Sequence, residues 1–326
     1  MKKWYGLMAL SLCLSTAYGQ MVTPAEKQAV LRQSAQLLEQ HYVYPDKGKT
    51  LAAALLQQEQ QLTQGTDSVD VFARAVTSLL RKTVKDGHVY LRYNPEMIKE
   101  LKAPPAKGDS AKDPFHYDER AVNMNFGFME VKILPGTVGY IRLSEINLSP
   151  NSVDVLKAAM TFVQHTKALI LDLRDNGGGG SAIGMVVEGY FVKDGTPLLE
   201  VKSRDGKNEV MKAATLSDTK PYEKPLYILV NNRTASAAEA IAFELQHLKR
   251  AVIVGQRSAG GAHMNDIFPA NDRFLLSVSV AAPVFPGTDH SWELTGVQPD
   301  IATANREEDL PAVLGLIKKD HDTAGK

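Results

Sequence analysis

At 326 residues the chain is long enough for one large domain or two modest ones. An apolar fraction of 44% with 23% charged residues is that of an ordinary globular protein. Lysine plus arginine and aspartate plus glutamate both number 37, so no overall field draws the chain to nucleic acid or to an anionic membrane.

Residues 1–19 read as an export signal. Lys2 and Lys3 form a basic start, and Leu7 to Leu14 is an apolar stretch too short to span a bilayer. Ala17-Tyr18-Gly19 offers small residues at the cleavage offsets, with Gln20 as the new N-terminus. The expected compartment is secreted or periplasmic, with no stable membrane span in the mature chain. Leu12 argues against a lipid on Cys13, where a small residue is expected. Cys13 is the only cysteine, so the mature chain has no disulfide and no thiol nucleophile. Cys/His ligands at zinc spacing are absent, and no metal or cofactor is expected.

Residues 20–93 read as a helical N-terminal domain. Pro24-Ala25-Glu26 starts a helix after Thr23, with an apolar stripe at Val30, Leu31, Ala35, Leu37, Leu38 and Tyr42. Tyr44-Pro45-Asp46 breaks it, and further helices are expected from Leu51 to Leu62 and from Val69 to Leu80. Asp86-Gly87 is a turn signal, and His88 opens a β-like alternation. Residues 94–123, rich in Pro, Lys and Ala, read as a connector. Residues 124–326 form the core. Strands fall between Met124 and Ile146 around a Pro135-Gly136 turn, and a helix runs from Val153 to His165. The gap from His88 to Gly139 is too short for an inserted peptide-binding domain of roughly 90 residues.

Three buried strands then hand over to small residues. Ala168 to Asp172 meets Gly177-Gly178-Gly179-Gly180-Ser181, a glycine run that exposes backbone N–H groups. It lacks the Gly-Lys-Ser/Thr ending of a nucleotide phosphate loop, and an oxyanion-binding loop suits it better. Leu226 to Val230 meets Asn231-Asn232-Arg233 and then Thr234-Ala235-Ser236, which opens a helix. Ser236 therefore sits on a turn beside N–H groups without helical partners, suited to an anion or a developing oxyanion. Glu239 stands where a capping-box acid would. Ala251 to Gly255 meets Ser258-Ala259-Gly260-Gly261-Ala262-His263. Three such handovers suggest strand ends converging on one pocket. A strand from Phe274 to Pro283 and a helix from Glu307 to Lys319 follow.

The order LDLRDNGGG, VNNRTASAAEAIA, VGQRSAGGA, WELTGVQPDI resembles the C-terminal processing, or tail-specific, family of serine peptidases over residues 85–305. The resemblance implies an α/β (α+β) fold with a crotonase-like core of ββα units and a helical N-terminal region. One branch of that family uses a Ser–Lys dyad, with the lysine just after a Gly-x-x-Thr-x-Gly turn. Here the turn is Gly255 to Gly260, and Gly261 takes the lysine's place. The other branch is similar to the tricorn protease core, lacks the PDZ domain and uses serine, histidine and glutamate. Its pattern falls on Ser236 as nucleophile, His88 of Asp86-Gly87-His88 as base, and Glu293 ahead of Gly296-Val297-Gln298-Pro299-Asp300. Gly177, Gly178 and Ala237 would supply oxyanion N–H groups. His263, and after it His290, are rival bases.

The implied activity is an exported serine endopeptidase that cuts unstructured or C-terminal polypeptide segments. The alternative is a non-catalytic ligand- or peptide-binding protein on the same scaffold, since the family has retinoid-binding relatives.

Overall fold

The computed structural model describes residues 20–65, 67–103, 119–147, 149, 151–216 and 221–324. The export signal, Cys13 and the connector's middle at 104–118 lie outside the described residues. The N-terminal part contains β1 (Met21–Val22), α1 (Pro24–His41), α2 (Pro45–Gln57), α3 (Glu59–Leu62), β2 (Asp67–Ser68), α4 (Val69–Val84), β3 (Tyr90–Tyr93) and α5 (Pro95–Lys102). Its helices begin where side chains satisfy the first amides. Thr23 Oγ1 accepts from Glu26 N at 3.2 Å, and Ser68 Oγ from Val71 N at 3.3 Å. Pro45 is the first residue of α2, so the break at Tyr44 is also the next helix's start.

The remainder runs α6 (Glu119–Asn123), β4 (Phe128–Leu134), β5 (Val138–Leu143), α7 (Asn151–Val163), β6 (Ala168–Asp172), α8 (Ser181–Gly189), β7 (Pro197–Ser203) and β8 (Glu209–Lys212). It continues with β9 (Leu226–Val230), α9 (Ala237–His247), β10 (Ala251–Gly255), β11 (Met264–Pro269), β12 (Phe274–Val284), β13 (Ile301–Ala302) and α10 (Arg306–Ala324).

A six-stranded sheet has the order β13-β10-β9-β6-β5-β4. Only the β4–β5 pair is antiparallel; the others are parallel. Every residue of β6 and β9 is buried, as the uninterrupted apolar runs require of strands covered on both faces. On one face Ile141, Leu171 and Ile228 pack with Leu156, Ile241 and Leu245 from the helices. On the other, Val313 and Ile317 of α10 meet Tyr140, Ile170 and Leu229. The fold is a mixed α and β architecture.

β12 belongs to a second sheet, where it pairs with β11, β3 and β7. Its Phe274, Leu276 and Val278 lie in one core with Leu31, Leu38, Leu51, Phe72 and Val76 of the N-terminal helices. The segment carrying His88 is thereby fixed against the far end of the chain.

Candidate active site

The three handovers are bonded to one another at the carboxyl ends of the parallel strands. Ala235 N donates to Asn176 O at 2.9 Å, and Ala259 N to Thr234 O at 3.0 Å. Thr234 Oγ1 donates to Leu173 O at 2.9 Å. Asp175 accepts from Asn231 Nδ2 at 2.8 Å and Arg233 Nε at 2.9 Å, tying the end of β6 to the end of β9. Behind this turn Arg174 grips Asp172 through Nε at 2.8 Å and reaches Asp309 at 2.9 Å.

Ser236 stands between β9 and α9 with φ 55° and ψ −126°, in the region a non-glycine residue rarely adopts. Glu239 holds it there. This carboxylate is fully buried and accepts from Ser236 N at 2.8 Å, Gly260 N at 2.6 Å, Gly261 N at 2.9 Å and Ser258 Oγ at 2.5 Å. Four donors on one buried charge replace the water it has lost. Gly178 approaches from the other side. A Cβ there would lie 2.7 Å from Ser236 Cβ and 2.9 Å from Ala237 N, so only glycine fits, at φ 98°. Its own N–H donates to Asn176 Oδ1 at 2.9 Å. Gly177 is exposed, and the Ala237 N–H heads α9, where the helix supplies no acceptor.

Two imidazoles lie near this turn, one on each side of Asp86. His263 lines the same cavity of about 180 Å³ as Ser236, together with Leu199, Met211, Ala240 and Trp292. Its Nδ1 lies 2.9 Å from Asp86 Oδ2 and 3.8 Å from Glu293 Oε1. Nδ1 is thus the ring nitrogen held against the carboxylates. His88 presents its other edge to the glycine loop: a Cβ on Gly261 would lie 3.2 Å from its Cε1 and 3.7 Å from its Nε2. The ring therefore borders the space a side chain at position 261 would enter. His88 Nδ1 is buried without a hydrogen-bond partner among the described residues, 3.9 Å from Asp86 Oδ1. Burial lowers the His88 pKa from its usual 6.5, against the pull of the Asp86 and Glu293 charges.

Asp86 is 2% exposed. Burial pushes its carboxyl up, but bonds from His263, Ser279 Oγ and the His88 N–H outweigh that and hold it below the usual carboxylate range. Tyr42 Oη donates to it as well, at 2.9 Å. Glu293 Oε2 accepts from Ala262 N at 2.7 Å and His263 N at 3.1 Å. Asp86, His263 and Glu293 bring potential ligand atoms within 4.8 Å of one another; of these, the His263 ring and the Asp86 carboxylate are joined by a hydrogen bond, while Glu293 bonds to backbone amides. No hydrogen bond links Ser236 Oγ to either imidazole. His290 N donates to Thr288 Oγ1 on an exposed turn, and its ring sits 6.2 Å from that of His247.

Comparison with known proteins fixes the family. The model of peptidase family S41 matches residues 137–303, half of the chain. The chain belongs to peptidase family S41. The S41 segment carries Ser236, His263 and Glu293, whereas Asp86 and His88 precede it. A carboxyl-terminal-processing protease of Synechocystis is 34% identical over 169 residues, covering 51% of this S41 chain and 38% of that protein. The S41 chain aligns with 30–40% of the length of the first three curated relatives it matches. Two solved structures share the S41 fold. A peptidase from Parabacteroides merdae gives a TM-score of 0.61 at 18% identity, covering 90% of this chain and 96% of that one. A photosystem II D1 C-terminal processing protease gives 0.55 at 18%, covering 85% and 93%.

Two carboxylates carry more of this site than the sequence alone disclosed. Asp86 reads there only as half of a turn signal, and Glu239 only as a capping acid. An aspartate directly before Gly-His was the one available signal for the first. The second bonds two glycine amides more than twenty residues downstream, which no local pattern encodes.

Proposed function

We propose that this chain is a serine peptidase that hydrolyses peptide bonds in polypeptide substrates, with Ser236 as nucleophile. The observation that carries the reading is the strained Ser236 turn, pinned by Glu239 and Gly178 at the mouth of a cavity. A serine hydroxyl needs a base to take its proton, and we assign that role to His88. The support is its position against Gly261, where the dyad branch would carry a lysine: the imidazole reaches the glycine loop from the N-terminal segment instead. Glu293, and Asp86 beside it, would stabilise the imidazolium as it forms. The N–H groups of Ala237 and Gly177 would face the oxyanion; losing one such donor typically costs about 3 kcal/mol of barrier. Gly178, whose N–H is engaged with Asn176, would contribute by letting the turn close.

A second reading makes His263 the base. It is favoured by the 2.9 Å contact with Asp86 and by the cavity His263 shares with Ser236. Single substitutions separate the two on an unstructured peptide. Ser236→Ala is expected to lower kcat/KM at least about 10³-fold and to abolish fluorophosphonate labelling. His88→Ala should match it, while His263→Ala retains turnover. The reverse pattern would transfer the role to His263. A folded wild-type chain that neither labels nor cuts would instead favour a binding protein on this scaffold.

Export by the 1–19 segment to a secreted or periplasmic site is part of the same proposal. No described helix is long and apolar enough to cross a membrane. Intact-mass analysis of protein from an exporting host should give a mature start at Gln20; a retained Met1 would contradict it.

A further inference from the structure

The cavity at Ser236 has a continuation. Its walls at Leu199, Met211, Ala237 and Ala240 also bound a smaller space of about 20 Å³, room for about one water. That space is lined as well by Glu188 of α8 and Glu244 of α9. Both residues are 2% exposed, and the two carboxyls are close enough to influence one another. Glu188 Oε1 and Glu244 Oε2 are buried and have no hydrogen-bond partner among the described residues. Buried acids without cationic partners are rare, because their charged form loses its water. The surroundings are apolar, with Leu198, Ile241 and Met185 beside them, so neither packing nor an ion pair accounts for two glutamates here. Idle acceptors on a cavity wall point to a donor that arrives from outside.

The helix sets the reach. Glu244 follows Ala237 by seven residues, about 10 Å along α9. Glutamate side chains on a helix lean back toward its N-terminus, which leaves roughly 6–8 Å between the carboxylates and a group held at Ser236. That is the span of a long unbranched side chain. Met211 and Leu199 offer its stem an apolar sleeve, and Met211 can adjust to it.

We propose that this passage is the subsite for the substrate residue beside the scissile bond, and that it selects a long basic side chain, lysine or arginine, whose cationic end reaches Glu188 and Glu244. The proposal rests on Ser236 marking the reaction centre. A neutral side chain of equal length would fill the sleeve and leave both acceptors unsatisfied, which is the stronger form of discrimination.

Calorimetric titration of the Ser236→Ala chain reads the pocket without turnover. Two peptide amides are compared that differ only in lysine or norleucine at the probed position. Lysine is expected to bind at least about tenfold more tightly, and Glu188→Gln or Glu244→Gln to erase the difference. Equal affinities, tighter norleucine binding, or no binding of either peptide would overturn the subsite, and that comparison needs no variant in the acid pair to fold. A lysine preference that persists in a chain whose Ser236 proves unreactive would sink the nucleophile and leave the pocket standing.

Discussion

Replacing Glu188 by glutamine tests the buried acid pair through stability alone. Burial pushes the Glu188 carboxyl from 4.5 up to about 7, and burial followed by the Glu188 charge pushes Glu244 up as well. An acid raised by folding keeps its proton in the folded chain after the unfolded chain has lost it. Its contribution is therefore complete below the unfolded value and is lost as pH climbs through the folded one. The interval from 4.5 to about 7 corresponds to about 3 kcal/mol. Glutamine has no proton to lose, so the variant should escape that loss. Urea unfolding at pH 5 and pH 8 measures most of it: the wild type should lose about 2.5 kcal/mol more than Glu188→Gln between the two. His88, lowered by burial, contributes in the opposite sense, but equally in both chains, and cancels. Parallel stability curves for wild type and variant would refute the reasoning.

Two further outcomes follow from the site. Glu239→Gln replaces an acceptor of four hydrogen bonds by an amide that donates from one side, and should destabilise the chain by about 3 kcal/mol in the same urea assay while slowing fluorophosphonate labelling of Ser236. In the pH–rate profile, a base that must be neutral gives an acid limb at its pKa; burial of His88 places that limb below 6.5, with the rate rising as pH increases through it, and a limb above 6.5 would count against His88.

What the sequence disclosed follows physical range. β6, β9 and β10 were legible because runs of four or five consecutive apolar or small residues have no other use in a covered sheet. The bond between Ser236 N and Glu239 was legible because a capping acid acts three residues away. The helix expected from Leu51 to Leu62 instead begins at Pro45 and divides at Gln58. β7, β8 and β11 were not legible, since Glu200, Lys202, Glu209 and Asp266 break their apolar pattern where one face meets solvent. The contact of Asp86 with His263 spans 177 positions, and that of Glu188 with Glu244 joins two separate helices. Chemistry assembled from distant residues has no local signature to read.

β12 gives the molecule an unusual dependence between its two ends. Ser277 Oγ donates to His88 O at 2.6 Å, Ser279 Oγ to Asp86 at 2.8 Å, and the strand pairs with β3, which begins at Tyr90. A fragment cut to residues 137–303 would retain Ser236 and its cavity walls, yet lose both the proposed base and the carboxylate between the imidazoles. It would also bare the apolar side of Phe274, Leu276 and Val278, the material of an adhesive strand. The smallest unit that can be moved, fused or expressed is therefore larger than the family segment. Its lower boundary is set by the helices that shield β12, not by the residues that touch substrate.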